Sequence, residues 1–215
     1  MEITRLDGLL SVLALTACHG AVQPDAAAVK IDVPNEWKFN FFTPKALPAV
    51  VTFAVVLGTD GTIYRFNTLD STKALNGVIG EWNDSARALN GHWNHVDSAS
   101  KHILFCWDSV IDKKVYETHL TLPESVVEKM QNPDGEHYPH NAVQIGLAPE
   151  GKVAVWLSGV ARGELSYRVT PSVMKTVSGD KLDICKGITR FSNGYEYGKD
   201  IKDFIKGKKY PYGSW

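Results

Sequence analysis

Apolar positions along this chain come in short runs broken by turn chemistry, not in long helical stripes. From Ala49 the run "AVVTFAVVLG" is rich in β-branched and aromatic residues and stops at a glycine, the pattern of a buried strand. "TDG" then supplies turn residues and "TIYRF" returns, so residues 49–66 read as a hairpin. The segment "HILFCWDSVIDKKVYETHLTL" gives the clearest alternation. Ile103, Phe105 and Trp107 lie on one face and Leu104, Cys106 and Asp108 on the other; "IDKK" turns, and Val115 to Leu122 alternates again. A third hairpin is "AVQIGLAPEGKVAVWLSG", in which two apolar runs flank "APEG", and "ELSYRVT" adds an edge strand.

Helical spacing is confined to short pieces. "LPESVVEKMQ" places Val126, Val127 and Met130 on one face behind Pro123, a residue suited to a first helical turn. "KDIKDFIKGKK" aligns Ile201, Phe204 and Ile205, with Gly207 as a stop and lysines suited to the negative end of the helix dipole. Residues 69–91 mix helix formers with glycines and read as a short helix or a loop. The expected fold class is mainly β or α+β: an antiparallel sheet or sandwich of roughly six to eight strands, built from hairpins with roughly two or three short helices. It occupies one domain over residues 37–215. Trp107 and Trp156, inside apolar strands, are expected in the core.

The front of the chain departs from this pattern. "LLSVLALTACHG" is far shorter than the roughly 20 apolar residues needed to cross a bilayer. Its length and small residues match the apolar and cleavage regions of a secretory signal peptide. Leu15-Thr16-Ala17-Cys18 also resembles the bacterial lipobox, in which small residues precede a cysteine that is acylated and becomes the new N-terminus. Arg5 supplies the basic charge, alongside Glu2 and Asp7. Residues 1–17 are therefore expected to be a lipoprotein signal peptide, with Cys18 the lipidated residue. Residues 18–36, with prolines and an alanine run, read as a flexible tether averaging on the order of 20–25 Å end to end. Several acyl chains anchor firmly where one holds only marginally. His19, in place of Asp after the cysteine, resembles the outer-membrane sorting pattern, so a periplasm-facing anchor on the outer membrane is expected. The alternative is a buried N-terminal helix with an inert core cysteine.

Composition is ordinary for a globular chain, with 44% hydrophobic and 22% charged residues. The formal net charge is −1, and removing residues 1–17 balances the two signs. That balance gives no electrostatic reason to bind nucleic acid or an anionic membrane surface, so membrane contact is expected through the lipid anchor only. With Cys18 lipidated in an oxidising compartment, Cys106 and Cys185 are left as a candidate disulfide. Closing a loop of about 80 residues stabilises by roughly 4.5 kcal/mol in the chain-entropy model. The other reading makes Cys106 a small buried hydrophobe.

Catalytic signatures are scarce. No G-x-S-x-G elbow, P-loop or dinucleotide fingerprint occurs, and no cofactor is expected. Two His-x-x-His pairs, His92/His95 and His137/His140, could share a metal with Asp97 or Glu136, but neither shows the three or four ligands of a zinc site. Solvent-facing loop histidines are the better reading. Asp108, Asp112 and Glu117 share one hairpin without alternation forcing them together. Trp82, Trp93 and Tyr138 lie in polar, loop-like segments, where aromatic side chains either anchor a partner or plug the core. With His92, His95 and His140 they form the candidate partner-binding set.

Three motifs carry a family resemblance: "EWKFNFFTPKALPAVV", "IGLAPEGKVAVWLSG" and the terminal "KYPYGSW". Together with the lipobox they resemble the bacterial lipoprotein family called domain of unknown function 2931, over roughly Trp37 to Trp215. Gly146 to Pro149 and Gly151 are expected to set a hairpin turn with Trp156 packed beneath it. The resemblance transfers no catalytic residue. It implies a context similar to immunity proteins encoded beside type VI secretion phospholipase effectors, and hence a protein partner: a cognate secreted lipase toxin whose active site the domain would cover. The alternative is a structural or assembly lipoprotein of the cell envelope, and a weaker third is a metal-dependent hydrolase using the histidine pairs.

Overall fold

Pairing of the apolar runs builds two five-stranded sheets. The computed structural model describes residues 36–44, 47–71, 92–131, 140–158, 166–194, 196–210 and 212. The expected signal peptide and tether, including Cys18, lie outside the described residues, as do Trp82, Glu136, His137 and Tyr138. The strands are β1 (Trp37–Phe42), β2 (Ala49–Gly58), β3 (Ile63–Ser71), β4 (Asn94–Val96), β5 (Ser100–Ser109), β6 (Lys114–Thr121), β7 (Ala142–Ala148), β8 (Lys152–Ser158), β9 (Tyr167–Val169) and β10 (Val173–Ser178). Among the described residues two short helices, α1 (Glu124–Gln131) and α2 (Lys199–Ile205), accompany them. One sheet has the order β4-β1-β7-β8-β9 and the other β10-β6-β5-β2-β3.

The three hairpins and the β9 edge strand form as the alternation predicts. The expected hairpin-built sandwich with short helices forms, and its antiparallel character needs correction at one pair: β1 pairs parallel with β7, Phe39 opposite Val143 and Phe41 opposite Ile145. Alternation fixes which face a side chain takes, not the direction of a distant neighbouring strand. A parallel pair also requires a long connection, which no hairpin motif announces.

The inner faces of both sheets share one core, with Phe39, Phe41, Ile145 and Leu157 from one sheet and Phe105, Trp107 and Leu120 from the other. Phe41 meets Phe105 across it with ring centroids 5.0 Å apart. Trp107 is fully buried, stacks on Tyr116 at 4.6 Å and donates its indole N–H to Thr118 Oγ1 at 3.0 Å. A β-bulge between Val51 and Phe53 shifts the register of β2. Val51 and Ala54 therefore both reach the core while Phe53 faces outward, which explains why "AVVTFAVVLG" reads as a continuous run. Helix α1 adds Val127 and Met130 to the core, and the Met130 carbonyl accepts the Trp37 indole N–H at 3.3 Å.

The β7–β8 turn has Glu150 at φ 66° and Gly151 at φ 71°, two successive left-handed residues as in a type I′ turn. Gly151 is needed for space as well, since a Cβ there would lie 2.8 Å from the Tyr116 ring. Asp112 latches this turn to the other sheet, accepting the Tyr116 O–H at 2.8 Å and the Glu150 N–H at 2.6 Å. Trp156 does not sit beneath the turn. It lies on the outer face of its sheet, against Phe42 at 5.2 Å and under the Arg168 guanidinium at 4.5 Å. Gly146 lies within β7 and takes no part in the turn.

Beyond β10 the chain crosses the outer face of the β10-β6-β5-β2-β3 sheet. The Cys106–Cys185 disulfide fastens it there, with Cα atoms 5.3 Å apart, inside a small cluster with Phe53, Leu182 and Ile188. Ile201, Phe204 and Ile205 of α2 are each half-buried, so this helix rests on the surface without entering the core.

Candidate functional site

Register across the second sheet aligns its outward side chains into rows. One row runs Ile63, Leu57, His102, Thr121, Val173 from β3 to β10. The next runs Arg65, Val55, Leu104, His119, Lys175. The third holds Asn67, Phe53, Cys106, Glu117 and Val177, and its centre lies under the disulfide-fastened C-terminal segment. The first two rows stay open. A shallow groove of about 280 Å³ follows them, lined by Val55, Leu57, His102, Leu104, His119 and Val173. Ile63 is 69% exposed and Val173 48%, so apolar surface continues to both borders of the sheet. Arg65 and Lys175 stand at opposite ends of the second row, giving an apolar strip with a cation at each end.

Two imidazoles sit within the strip, each with a fixed neighbour. His102 Nδ1 meets Thr121 Oγ1 at 2.8 Å, and His119 Nε2 meets Glu117 Oε1 at 2.7 Å. The other carboxylate oxygen of Glu117 accepts the N–H groups of Asp183 at 3.0 Å and Cys185 at 2.9 Å. Burial pushes this carboxyl up, yet the bonds from Cys185, His119 and Asp183, with the charge of the His119 ring, hold it below its ordinary value. Asp108, buried on the same side of β5, accepts the Phe191 N–H at 3.1 Å. There burial wins over the bonds from Thr189 and Phe191, and its carboxyl is raised. Both acids therefore clamp the C-terminal segment through backbone N–H groups. Among the described residues, no group of three or more His, Cys, Asp or Glu side chains could hold a metal ion. The strip offers apolar contact, imidazole hydrogen bonding and two cations.

Residues 22–213 match the family described as "Protein of unknown function (DUF2931)". The chain belongs to DUF2931. No curated protein and no solved structure matches it. Among the described residues no helix is long and apolar enough to cross a membrane.

Within this DUF2931 chain the candidate partner residues that are described, His92, Trp93, His95 and His140, do not gather at one place. His92 is exposed and Trp93 half-buried just before β4. His95 lies on β4 opposite Lys38, paired with Glu36, at one border of its sheet. His140 packs against Tyr167 of β9, the other border strand, with ring centroids 5.1 Å apart. The residues of the open strip on the second sheet are not among those candidates. Alternation along β5 and β6 does place His102 with Leu104, and His119 with Glu117, on a common outward side. Imidazoles flanked by apolar residues on the face away from the core were the available signal.

Proposed function

We propose that this DUF2931 chain is a periplasm-facing lipoprotein that works by binding, as an immunity protein that neutralises a type VI secretion phospholipase-type toxin by covering its active site. The observation that carries the binding role is the open strip from Ile63 to Val173, ended by Arg65 and Lys175, on a face braced by the Cys106–Cys185 disulfide. A rigid apolar strip with charged ends suits docking, because little side-chain or backbone freedom is lost on association. Support for the anchored, periplasmic setting comes from Leu15-Thr16-Ala17-Cys18. The resemblance to immunity lipoproteins supplies the toxin class.

The test looks for a lipase gene beside this one and co-expresses its product, directed to the periplasm, with this chain. The wild-type chain restores growth, and Cys18→Ser, which cannot be acylated, weakens protection and takes up no radiolabelled palmitate. Growth arrest that persists with abundant folded wild-type protein overturns the immunity role. An envelope defect on deletion, in cells with no such effector gene, marks the protein as a structural or assembly lipoprotein instead.

A further inference from the structure

A second concavity lies away from the strip, where α2 and the Phe191–Asn193 turn meet the β5–β6 hairpin. It measures about 680 Å³, within the range of small-molecule sites. Its floor is apolar: Val110, Phe191, Tyr197 and Ile205. The floor is also held in place. Val110 is 2% exposed and donates its N–H to the Pro48 carbonyl at 3.1 Å. Phe191 is fixed through its N–H by Asp108, and its ring meets Tyr197 edge-on at 5.0 Å. The rim carries three lysines: Lys113 on the hairpin turn, and Lys202 and Lys206 one helical turn apart on and just beyond α2. Glu196 is the rim's carboxylate, and its Oε2 meets Lys202 Nζ at 2.6 Å. Lys202, and more weakly Lys113, hold the Glu196 carboxyl below its ordinary value.

We infer that this cleft binds a single-chain anionic amphiphile, with its acyl chain on Val110, Phe191, Tyr197 and Ile205 and its carboxylate or phosphate head on Lys113 and Lys206. A small inorganic anion would leave the apolar floor uncovered, and a cationic or neutral chain would leave the lysines unmatched. Glu196 already places a carboxylate on Lys202 at this rim, so it shows what the rim accepts and also competes for it. That competition makes the two kinds of rim substitution act in opposite directions.

The experiment titrates the full chain calorimetrically with sodium laurate below its micellar concentration, with dodecyltrimethylammonium as the matched cationic chain. Laurate saturates one site and the cationic chain does not. Lys113→Gln with Lys206→Gln weakens laurate binding by about tenfold, whereas Glu196→Gln tightens it by about threefold. All three positions are on the surface, so the fold is retained. Equal binding of both amphiphiles, or laurate affinity unchanged in both variants, overturns the assignment. So does a lysine effect seen only on phosphatidylglycerol vesicles, which would make α2 a membrane-surface element and not the wall of a ligand site.

Discussion

Glu117 and Asp108 are two buried carboxylates on one sheet face that should answer opposite ways to the same substitution. Glu117 spreads its charge over three donors, and Glu117→Gln removes that charge from a site built for it. Hydrogen bonds to an ionised group are each worth about 1.5–3 kcal/mol, so a loss of about that size is expected at neutral pH. The native carboxyl lies below its ordinary value of 4.5, so the advantage is complete above that pH and disappears as pH falls through the depressed value. Asp108 is raised above its ordinary 3.8, so its ionisation weakens the fold as pH rises through the raised value. Asp108→Asn keeps an acceptor for the Phe191 N–H and should cost less than about 0.5 kcal/mol, or stabilise. Urea denaturation between about pH 3 and 7 measures both effects; a Glu117→Gln curve that tracks wild type throughout would refute the clamp. Alternation in β5 already put Cys106 and Asp108 on one side. His119 was legible beside Glu117, but the other donors were not, because they are backbone N–H groups 66, 68 and 83 residues away and main-chain groups leave no mark in sequence.

At the level of elements, legibility followed locality. The three hairpins were readable because strand period and turn chemistry lie in one continuous stretch. Strand β4 has only three residues, and β10 is an exposed border strand whose outward half shows no apolar alternation, so neither announced itself. The C-terminal segment is the element most dependent on a single covalent tie. Its two 3-10 turns, Gly179–Lys181 and Phe191–Asn193, bury no residue, and α2 buries none either. Removing the Cys106–Cys185 bond should therefore release this segment and lower stability by about 2–5 kcal/mol. The double variant Cys106→Ser with Cys185→Ser checks this by thermal melting and amide hydrogen exchange. Protection should fall first at Asp183, Cys185 and Phe191, while the amides of β7 and β8 stay protected until global unfolding. Uniform loss across both sheets would show that the tie braces the whole sandwich and not this segment alone.

For the whole molecule, the strip is a product of topology. Ile63, Leu57, His102, Thr121 and Val173 become neighbours only when five strands from different parts of the chain take their order, so no local window contains them. The polar strand residues Asn40 and Gln144 show the same limit from the other side, since both are buried where alternation alone would leave them in solvent. The near-neutral total charge likewise conceals the local arrangement of one cation at each end of an apolar strip. If that strip is the docking face, its ends and centre should fail differently. Exposed charges at an interface rim mainly set encounter rate, so Arg65→Glu with Lys175→Glu should slow association with a lipase of the proposed class by about tenfold at low salt, with little change in dissociation. Ile63→Asp with Val173→Asp should instead speed dissociation, because it places charge where apolar surface must be desolvated. All four side chains are on the open surface, so melting temperatures should stay close to wild type. Surface-captured wild-type and variant chains, probed with the purified lipase at two salt concentrations, separate the two effects. Association that ignores both charge reversal and salt would place the docking face elsewhere on the molecule.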